Sequence, residues 1–499
     1  MAEPAAAIDS ARPSWRHDFL FWLVLLVFAQ LVIWTVLPWL FALSLPLDVV
    51  SDGLTWGHEW QWGYYKHPPL PSWTVEAFFD AFGDLGPFLL SQICIVMTYV
   101  FVFLLGCEMM PMRWAAAGTL LLTGVYYFSV PTPEFNHNIA QMPAWAAACF
   151  CYFEAWKTDR TRWWLGLGVV AGLGLLTKYS TALLLFVMLA HFVFTRGLKD
   201  GLRSSGPWIA AGICLVVISE HVLWLARSGF PSFHYAAERA RVASGLGGWI
   251  LAPVKFLSAQ AIDVLPAVGI AWIAGLRPAP GTLQHNEKLG FLLWMTLGPP
   301  IAVALGSLAT GMAARDMWGA PMWNLTGLII VLSAAGNWKR ASGKWLGAGA
   351  AALFAIGLGG FVVANVLVPE LENRPSRIQW PDRSIARASA TVWRQQVQRP
   401  LRIVAGDGWL GGLVAMRSVP RPSVWIDANY RKAPWITPEA VKRDGALLLW
   451  RVHPNESVPN AFTCLKGIQI LGQKSFVWPE TPKAAPLIIG YAILLPAGR

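Results

Sequence analysis

Charge is what this chain has least of. Only 13% of its 499 residues are Asp, Glu, Lys or Arg, where soluble domains carry about 25%. That shortage excludes an ordinary soluble globular protein. There is no Walker A sequence, no HExxH and no paired CxxC, so nothing suggests an ATPase or a zinc protease. Cysteine is scarce as well. Five of the six (Cys94, Cys107, Cys149, Cys151 and Cys214) fall in apolar segments, as small packing residues do. Cys149 and Cys151 are two apart on a helix, point away from each other and make a poor metal pair. Cys464 stands alone in the polar tail, which therefore holds no internal disulfide. No repeat of fixed period is visible. No small-residue cleavage site follows the first apolar run, which reads as a retained first span.

Apolar sequence is what the chain has in quantity. Hydrophobic residues make up 55%, and there are 29 tryptophans, a residue that favours the membrane–water interface. Apolar segments fall at about 19–43, 86–110, 115–130, 139–156, 163–177, 179–195, 207–226, 250–276, 288–309, 317–336 and 345–368. Runs of roughly 20 apolar residues predict membrane-crossing helices, here about eleven. With the N-terminus (Arg12, Arg16) in the cytoplasm, the basic connectors around Arg113, Lys157, Arg196, Arg277 and Lys339 all land inside. The polar loop 45–73, the turn 131–138, the loop 227–249 and the turn at Arg315 then lie outside. So does the tail, which carries 18 Lys and Arg against nine Asp and Glu from residue 370 onward. Its short runs LRIVAG, SVWI, GALLLWRV and LIIGYAILLP, with the helix-like ASATVWRQQVQ, predict a small mixed α/β domain. The expected division is residues 1–368 as a membrane domain and 369–499 as that extracytoplasmic domain, whose basic surface suits solvent or anionic lipid head groups.

Chemistry concentrates in the outside segments. Asp48 and Asp52 are four apart, one face if the segment is an α-helix, and suit general-base or metal work. Lys66 and His67 precede a rigid Pro-Pro, and a cation there suits a departing phosphate. Glu134 follows Pro-Thr-Pro, held by a stiff turn, as an active carboxylate or a helix cap. Lys178 lies on the outer side beside the apolar core, where a lysine wants an anion such as a lipid phosphate. Arg239 and Arg241 in the loop 227–249 suit phosphate as guanidinium forks, and also suit a solvated helix. The run Gly406–Gly411 with Asp427 about 20 residues on has the outline of a dinucleotide fingerprint. Trp409 is too bulky for that role, and a tight strand–helix turn is expected instead.

The segment DVVSDGLTWGHEWQWGYYKHPPLPSW resembles the first-loop signature of glycosyltransferase superfamily C. More closely, it resembles the bacterial dolichyl-phosphate-mannose-protein mannosyltransferase-like and aminoarabinose-transferase-like enzymes. PTPEFNHNIAQMPAW, GLGLLTKYSTALLL and DMWGAPMWNL are similar to later segments of those enzymes in the same order, over roughly residues 20–335. The resemblance implies a polytopic α-helical enzyme that moves a sugar from a polyprenyl-phosphate-linked donor to an extracytoplasmic acceptor, usually with inversion. By spacing it makes Asp52 the better match to the family's first-loop acid and Asp48 the second. The usual Asp-Glu doublet is missing here, and both stay candidates. Glu134 becomes a second active-site carboxylate. Lys66, His67, Lys178, Arg239 and Arg241 become donor-phosphate contacts, and Tyr64, Tyr65, His137, Tyr179, Tyr235 and Arg315 become substrate contacts.

Lys66 and His67 are expected to face the donor while Asp52 faces the acceptor, with the Pro-Pro holding them apart. The basic tail points to an anionic glycolipid acceptor of the lipid A or lipopolysaccharide type, at a bacterial inner membrane with the tail periplasmic. A protein acceptor, or a flippase for a lipid-linked substrate, is the alternative. A flippase should show internal repeats and ionisable groups at mid-membrane, whereas the acidic residues here gather in loops on one side. No cofactor is named and a divalent metal is left open. Membrane lipids are expected partners and nucleic acid is not.

Overall fold

A computed structural model describes residues 19–239, 245–279, 286–452 and 458–497. Arg12, Arg16 and Arg241 of the sequence reading lie outside them. The helices that concern the site are α1 (Phe19–Phe41), α2 (Leu70–Phe82), α3 (Gly86–Met109), α4 (Met112–Leu120), α5 (His137–Thr158), α6 (Thr161–Thr177) and α7 (Thr181–Arg196). After them come α8 (Ser205–Arg227), α9 (Gly245–Ile273), α10 (Glu287–Thr310), α11 (Thr326–Ser333) and α12 (Gly343–Val362). Every predicted apolar segment contains helix. Among the described residues six helical stretches are long and apolar enough to cross a membrane: Phe19–Phe41, Leu70–Met109, Ser205–Arg227, Gly247–Ile273, Glu287–Thr310 and Gly343–Glu372. Their outward side chains are apolar too, including Phe28, Leu40, Leu215, Ile262, Leu305 and Ile356. Such a belt suits lipid, since a helix satisfies its own backbone there. The chain is a multi-pass membrane protein.

Two expected spans are not single helices. The segment 115–130 ends its α-helix at Leu120 and continues as 3₁₀ turns, and 317–336 is α-helical only over Thr326–Ser333. Close packing explains it: a Cβ on Gly327 would sit 1.8 Å from the Gly118 carbonyl oxygen, so α4 and α11 cross backbone to backbone. Conversely, α2 was not expected. Its sequence LPSWTVEAFFDAF alternates polar and apolar residues enough to read as loop, but it buries Ser72, Val75 and Glu76.

The tail folds as the predicted mixed α/β unit. Five strands, β1 (Ile403–Gly406), β2 (Ser423–Ile426), β3 (Ala446–Arg451), β4 (Ile468–Phe476) and β5 (Leu487–Leu494), lie in the order β2-β1-β3-β5-β4. The β2-β1-β3 side is parallel and the β3-β5-β4 side antiparallel. Helix α13 (Asp382–Gln396) precedes β1, and α14 (Gly408–Arg417) links β1 to β2. Side chains alternate between faces, as a pleat requires. Val404, Leu447 and Leu449 pack with Ile385 and Trp393 of α13. Ile403, Ala405 and Leu448 pack in a second core whose other members include Trp56 and Tyr64 of the first loop. That loop therefore completes the tail's hydrophobic core. Only β4 escaped the sequence reading, because it is a mostly exposed edge strand with a bulge at Gly472.

Polar contacts fasten the same seam. Arg421 donates to the Glu76 carboxylate (2.7 Å) and to the Leu54 carbonyl (2.7 Å), while Arg417 joins Asp84 (2.6 Å) to Asp382 (2.8 Å). The glycine run 406–411 is a strand–turn–helix as expected, with Asp407 accepting the Leu410 N–H (2.6 Å) as cap. What its helix holds close is protein: a Cβ on Gly412 would meet Thr55 Oγ1 at 2.4 Å and Val50 Cγ1 at 2.8 Å. Gly412→Val is accordingly expected to destabilise the chain by about 1–3 kcal/mol through overpacking. Thermal unfolding in detergent would read this as a lower transition temperature, and an unchanged transition would mean that the tail does not dock through α14.

Candidate active site

The first loop enters the site as a π-helix, Val49–Leu54, directly after Asp48. Such wider i→i+5 bonding is frequent at functional sites, and Asp48 and Asp52 stay close enough for the Asp52 charge to act on Asp48. Their environments differ. Asp52 accepts two hydrogen bonds from Lys66 Nζ (2.9 and 3.2 Å), both side chains being mostly buried. Lys66 also lies over the rings of Tyr65 (5.4 Å), Trp56 (5.6 Å) and Tyr235 (5.9 Å). Burial alone would lower its pKa, but the Asp52 charge, the hydrogen bond to Asp52 and the neighbouring Tyr65 and Tyr235 together more than offset this and raise it. The expectation that the Pro-Pro turn holds Lys66 away from Asp52 is thus corrected: the turn brings the two together.

Asp48 is the other half of the picture. Among the described residues nothing donates a hydrogen bond to its carboxylate. Its backbone N–H donates to Glu134 Oε1 (2.9 Å). Burial, then the Glu134 and Asp52 charges, push its pKa up to about 7. Glu134 is therefore not the helix cap; that role falls to Asn136, which accepts from the Asn138 and Ile139 N–H groups (2.8 and 3.2 Å). A buried polar chain fixes the turn: Gln30 donates to Gln92 (2.9 Å), and Gln92 and Ser91 donate to the Thr132 carbonyl (3.1 and 2.5 Å).

Lys178 closes the group from the turn between α6 and α7. Its ammonium donates to Asn138 Oδ1. Burial pushes its pKa down to about 8, against the pull of Asp48. His67 stacks on His137 (4.1 Å between centroids), and both pack near Trp56 (6.3 and 6.2 Å). Burial, then His137, Lys178 and Lys66, hold His67 well below its usual pKa, so it is neutral. A neutral imidazole can contact a phosphate only as a hydrogen-bond donor. His137 Nε2 is buried with no hydrogen-bond partner among the described residues.

Other expected contacts are struts. Tyr64 is fully buried, stacks on Trp56 (5.0 Å) and donates to the Trp56 carbonyl (2.8 Å). His221 Nδ1 donates to the Trp62 carbonyl (2.6 Å), which leaves Nε2 to accept from the Tyr179 hydroxyl (2.9 Å). Tyr64 and Tyr179 thus brace the loop from within the protein. Tyr65 and Tyr235 meet edge to face (5.5 Å) beside Lys66. Arg239 is exposed, its Nε donating to the Tyr235 hydroxyl (3.0 Å). Arg315 is also exposed, beside Asp316, whose carbonyl accepts from Tyr127 (2.6 Å) and Gln260 (3.0 Å). Two residues were missed: Asn138, which orients Lys178, and Arg377, whose charge favours the ionised form of Asp48. Arg377 was one arginine among many in a basic tail and carried no signal of its own. Among the described residues no three His, Cys, Asp or Glu side chains gather as a metal-holding group.

The chain is similar to known proteins along much of its length. Residues 66–224 match the family model for dolichyl-phosphate-mannose-protein mannosyltransferase. The lipopolysaccharide core galacturonosyltransferase RgtA of Rhizobium johnstonii is 24% identical over 419 residues, 78% of each chain. The lipid A galacturonosyltransferase RgtD of the same organism is 23% identical over 272 residues, 53% of this chain and 55% of its own. Among solved structures, ArnT from Cupriavidus metallidurans bound to undecaprenyl phosphate superposes with a TM-score of 0.62 at 14% identity, over 94% of this chain and 97% of ArnT. Residues 66–224 thus resemble the dolichyl-phosphate-mannose-protein mannosyltransferase family, and the chain shares the fold of ArnT along nearly its whole length.

Proposed function

We propose that this membrane glycosyltransferase moves a sugar from a polyprenyl-phosphate-linked donor to an anionic glycolipid, lipid A or lipopolysaccharide core. The reaction takes place at the periplasmic face of a bacterial inner membrane, with the N-terminus cytoplasmic. The observation that carries the reading is the meeting of Asp48, Glu134 and Lys178 where the apolar helices end. Asp48 is a free carboxylate poised near neutral pH, which suits a general base. It accepts the proton of an acceptor hydroxyl as that oxygen bonds to the anomeric carbon of the donor sugar. The bond from that carbon to the phosphate oxygen breaks, and the polyprenyl phosphate leaves with the electron pair. Lys178 sits where its charge offsets the leaving phosphate. Asp52 acts through Lys66, positioning the ammonium within its aromatic walls. The names of RgtA and RgtD support a glycolipid acceptor. The undecaprenyl phosphate in the ArnT structure supports the donor class.

The test is transfer by the purified full chain from polyprenyl-phosphate-linked galacturonic acid to lipid A–core glycolipid. The expected products are the extended glycolipid and free polyprenyl phosphate in equal amounts. Passage of intact donor across a vesicle without such products would make the protein a flippase, and sugar found on protein instead would move it to the protein-acceptor class.

A further inference from the structure

Beside the Asp48 group the tail forms a cavity of about 760 Å³, within the size range of small-ligand sites. Leu47, the neighbour of Asp48, lines one wall. Arg374, Arg377 and Arg451 line the rest together with Trp380 and Trp409. Most arginines and lysines near this seam are matched: Arg417 to Asp84 and Asp382, Arg421 to Glu76, Lys432 to Asp427. Arg377 and Arg451 differ, since among the described residues neither has a carboxylate within ion-pair distance. Asp407, the acid in the lining, is already committed to capping α14. Trp380 meets Trp409 edge to face (5.6 Å), and the Arg451 guanidinium lies over the Trp380 ring (6.0 Å). Unmatched guanidinium forks recognise phosphate and carboxylate, and tryptophan offers broad apolar faces. Such a combination fits an anionic saccharide better than a lipid chain.

We propose that this cavity is the acceptor subsite: Arg377 and Arg451 grip an anionic group on the acceptor's sugars, Trp380 and Trp409 pack the rings, and a hydroxyl is thereby brought to Asp48. The inference rests on the transferase reading above. Donor and acceptor reach Asp48 by separate elements. Lys178 comes from the α6–α7 turn among the membrane helices. Apart from Leu47, the cavity is built by residues that follow α12 and by the tail domain.

Binding to the full chain in nanodiscs tests this with two probes, an anionic core oligosaccharide freed of its lipid and undecaprenyl phosphate. Arg451→Ala is expected to weaken the oligosaccharide by about tenfold or more, the size of one lost charged hydrogen bond. Arg451→Lys should recover part of that loss, and undecaprenyl phosphate should bind all variants alike. Dephosphorylated, carboxyl-reduced oligosaccharide should bind the unaltered protein weakly. Equal oligosaccharide affinity in Arg451→Ala overturns the proposal, as does no oligosaccharide binding by the unaltered protein. Loss confined to undecaprenyl phosphate would give the cavity to the donor and also overturn it. Because binding needs no turnover, a protein that binds oligosaccharide through Arg451 but transfers nothing keeps the subsite and removes the transferase reading. One that transfers with an acceptor KM unmoved by Arg451→Ala removes the subsite alone.

Discussion

Asp48→Asn is expected to lower turnover by about 10²–10⁴-fold, the usual contribution of a positioned general base, with the donor KM little changed. The substitution keeps the shape and removes the proton acceptor. Asp52→Asn should be milder. That carboxylate is already saturated by Lys66 at 2.9 Å, so its loss frees the ammonium to swing among Tyr65, Trp56 and Tyr235 without removing the base. Steady-state transfer from the same donor by both variants, with thermal unfolding as a control for folding, decides between them. Near-normal turnover in Asp48→Asn alongside a dead Asp52→Asn would exchange their roles and return the base to the aspartate favoured by spacing.

Lys178→Met is expected to cost about a hundredfold or more, as removal of a single donor to a developing anion does. The pH profile carries the sharper form of this prediction. Asp48 must be ionised to accept a proton, and its pKa is raised to about 7, so kcat/KM should rise with pH through about 7. Lys178 must be protonated to face phosphate, and its pKa is lowered to about 8, so the rate should fall above about 8. The result is a narrow bell. Glu134→Gln keeps an oxygen for the Asp48 N–H but removes a charge that raises the Asp48 pKa, so the acid limb should move to lower pH. Lys178→Arg keeps the charge at all accessible pH, so where transfer survives the alkaline fall should vanish. A profile whose limbs ignore both substitutions would remove Asp48 and Lys178 as the titrating pair.

How far these residues could be read in advance depended on the range of the interaction. Glu134, Lys178 and the first-loop acids stand out locally, as polar residues set against apolar runs, and the motif resemblance ordered them. Tyr64 could not be separated from Tyr65 in that way. They are neighbours in the same GYYKHPP motif, and only docking of the tail shows that Tyr64 fills a core made with Ile403 and Leu448 while Tyr65 faces Lys66. Arg377 shows the same limit: nothing near residue 377 in the sequence marks it as a neighbour of residue 48.

By itself the sequence determined that this is a multi-pass membrane protein with a small α/β tail, and it put the candidate site in the polar loops between the apolar runs. The reason is physical: apolar runs of roughly 20 residues and alternating strand patterns are properties of neighbouring residues, so they survive without knowledge of the fold. The tertiary structure decided which aspartate is free. The Pro-Pro turn delivers Lys66 to Asp52, and Glu134 arrives at Asp48 from 86 residues away. Ion pairing consumes one carboxylate and leaves the other, and which one is consumed depends on contacts between distant segments.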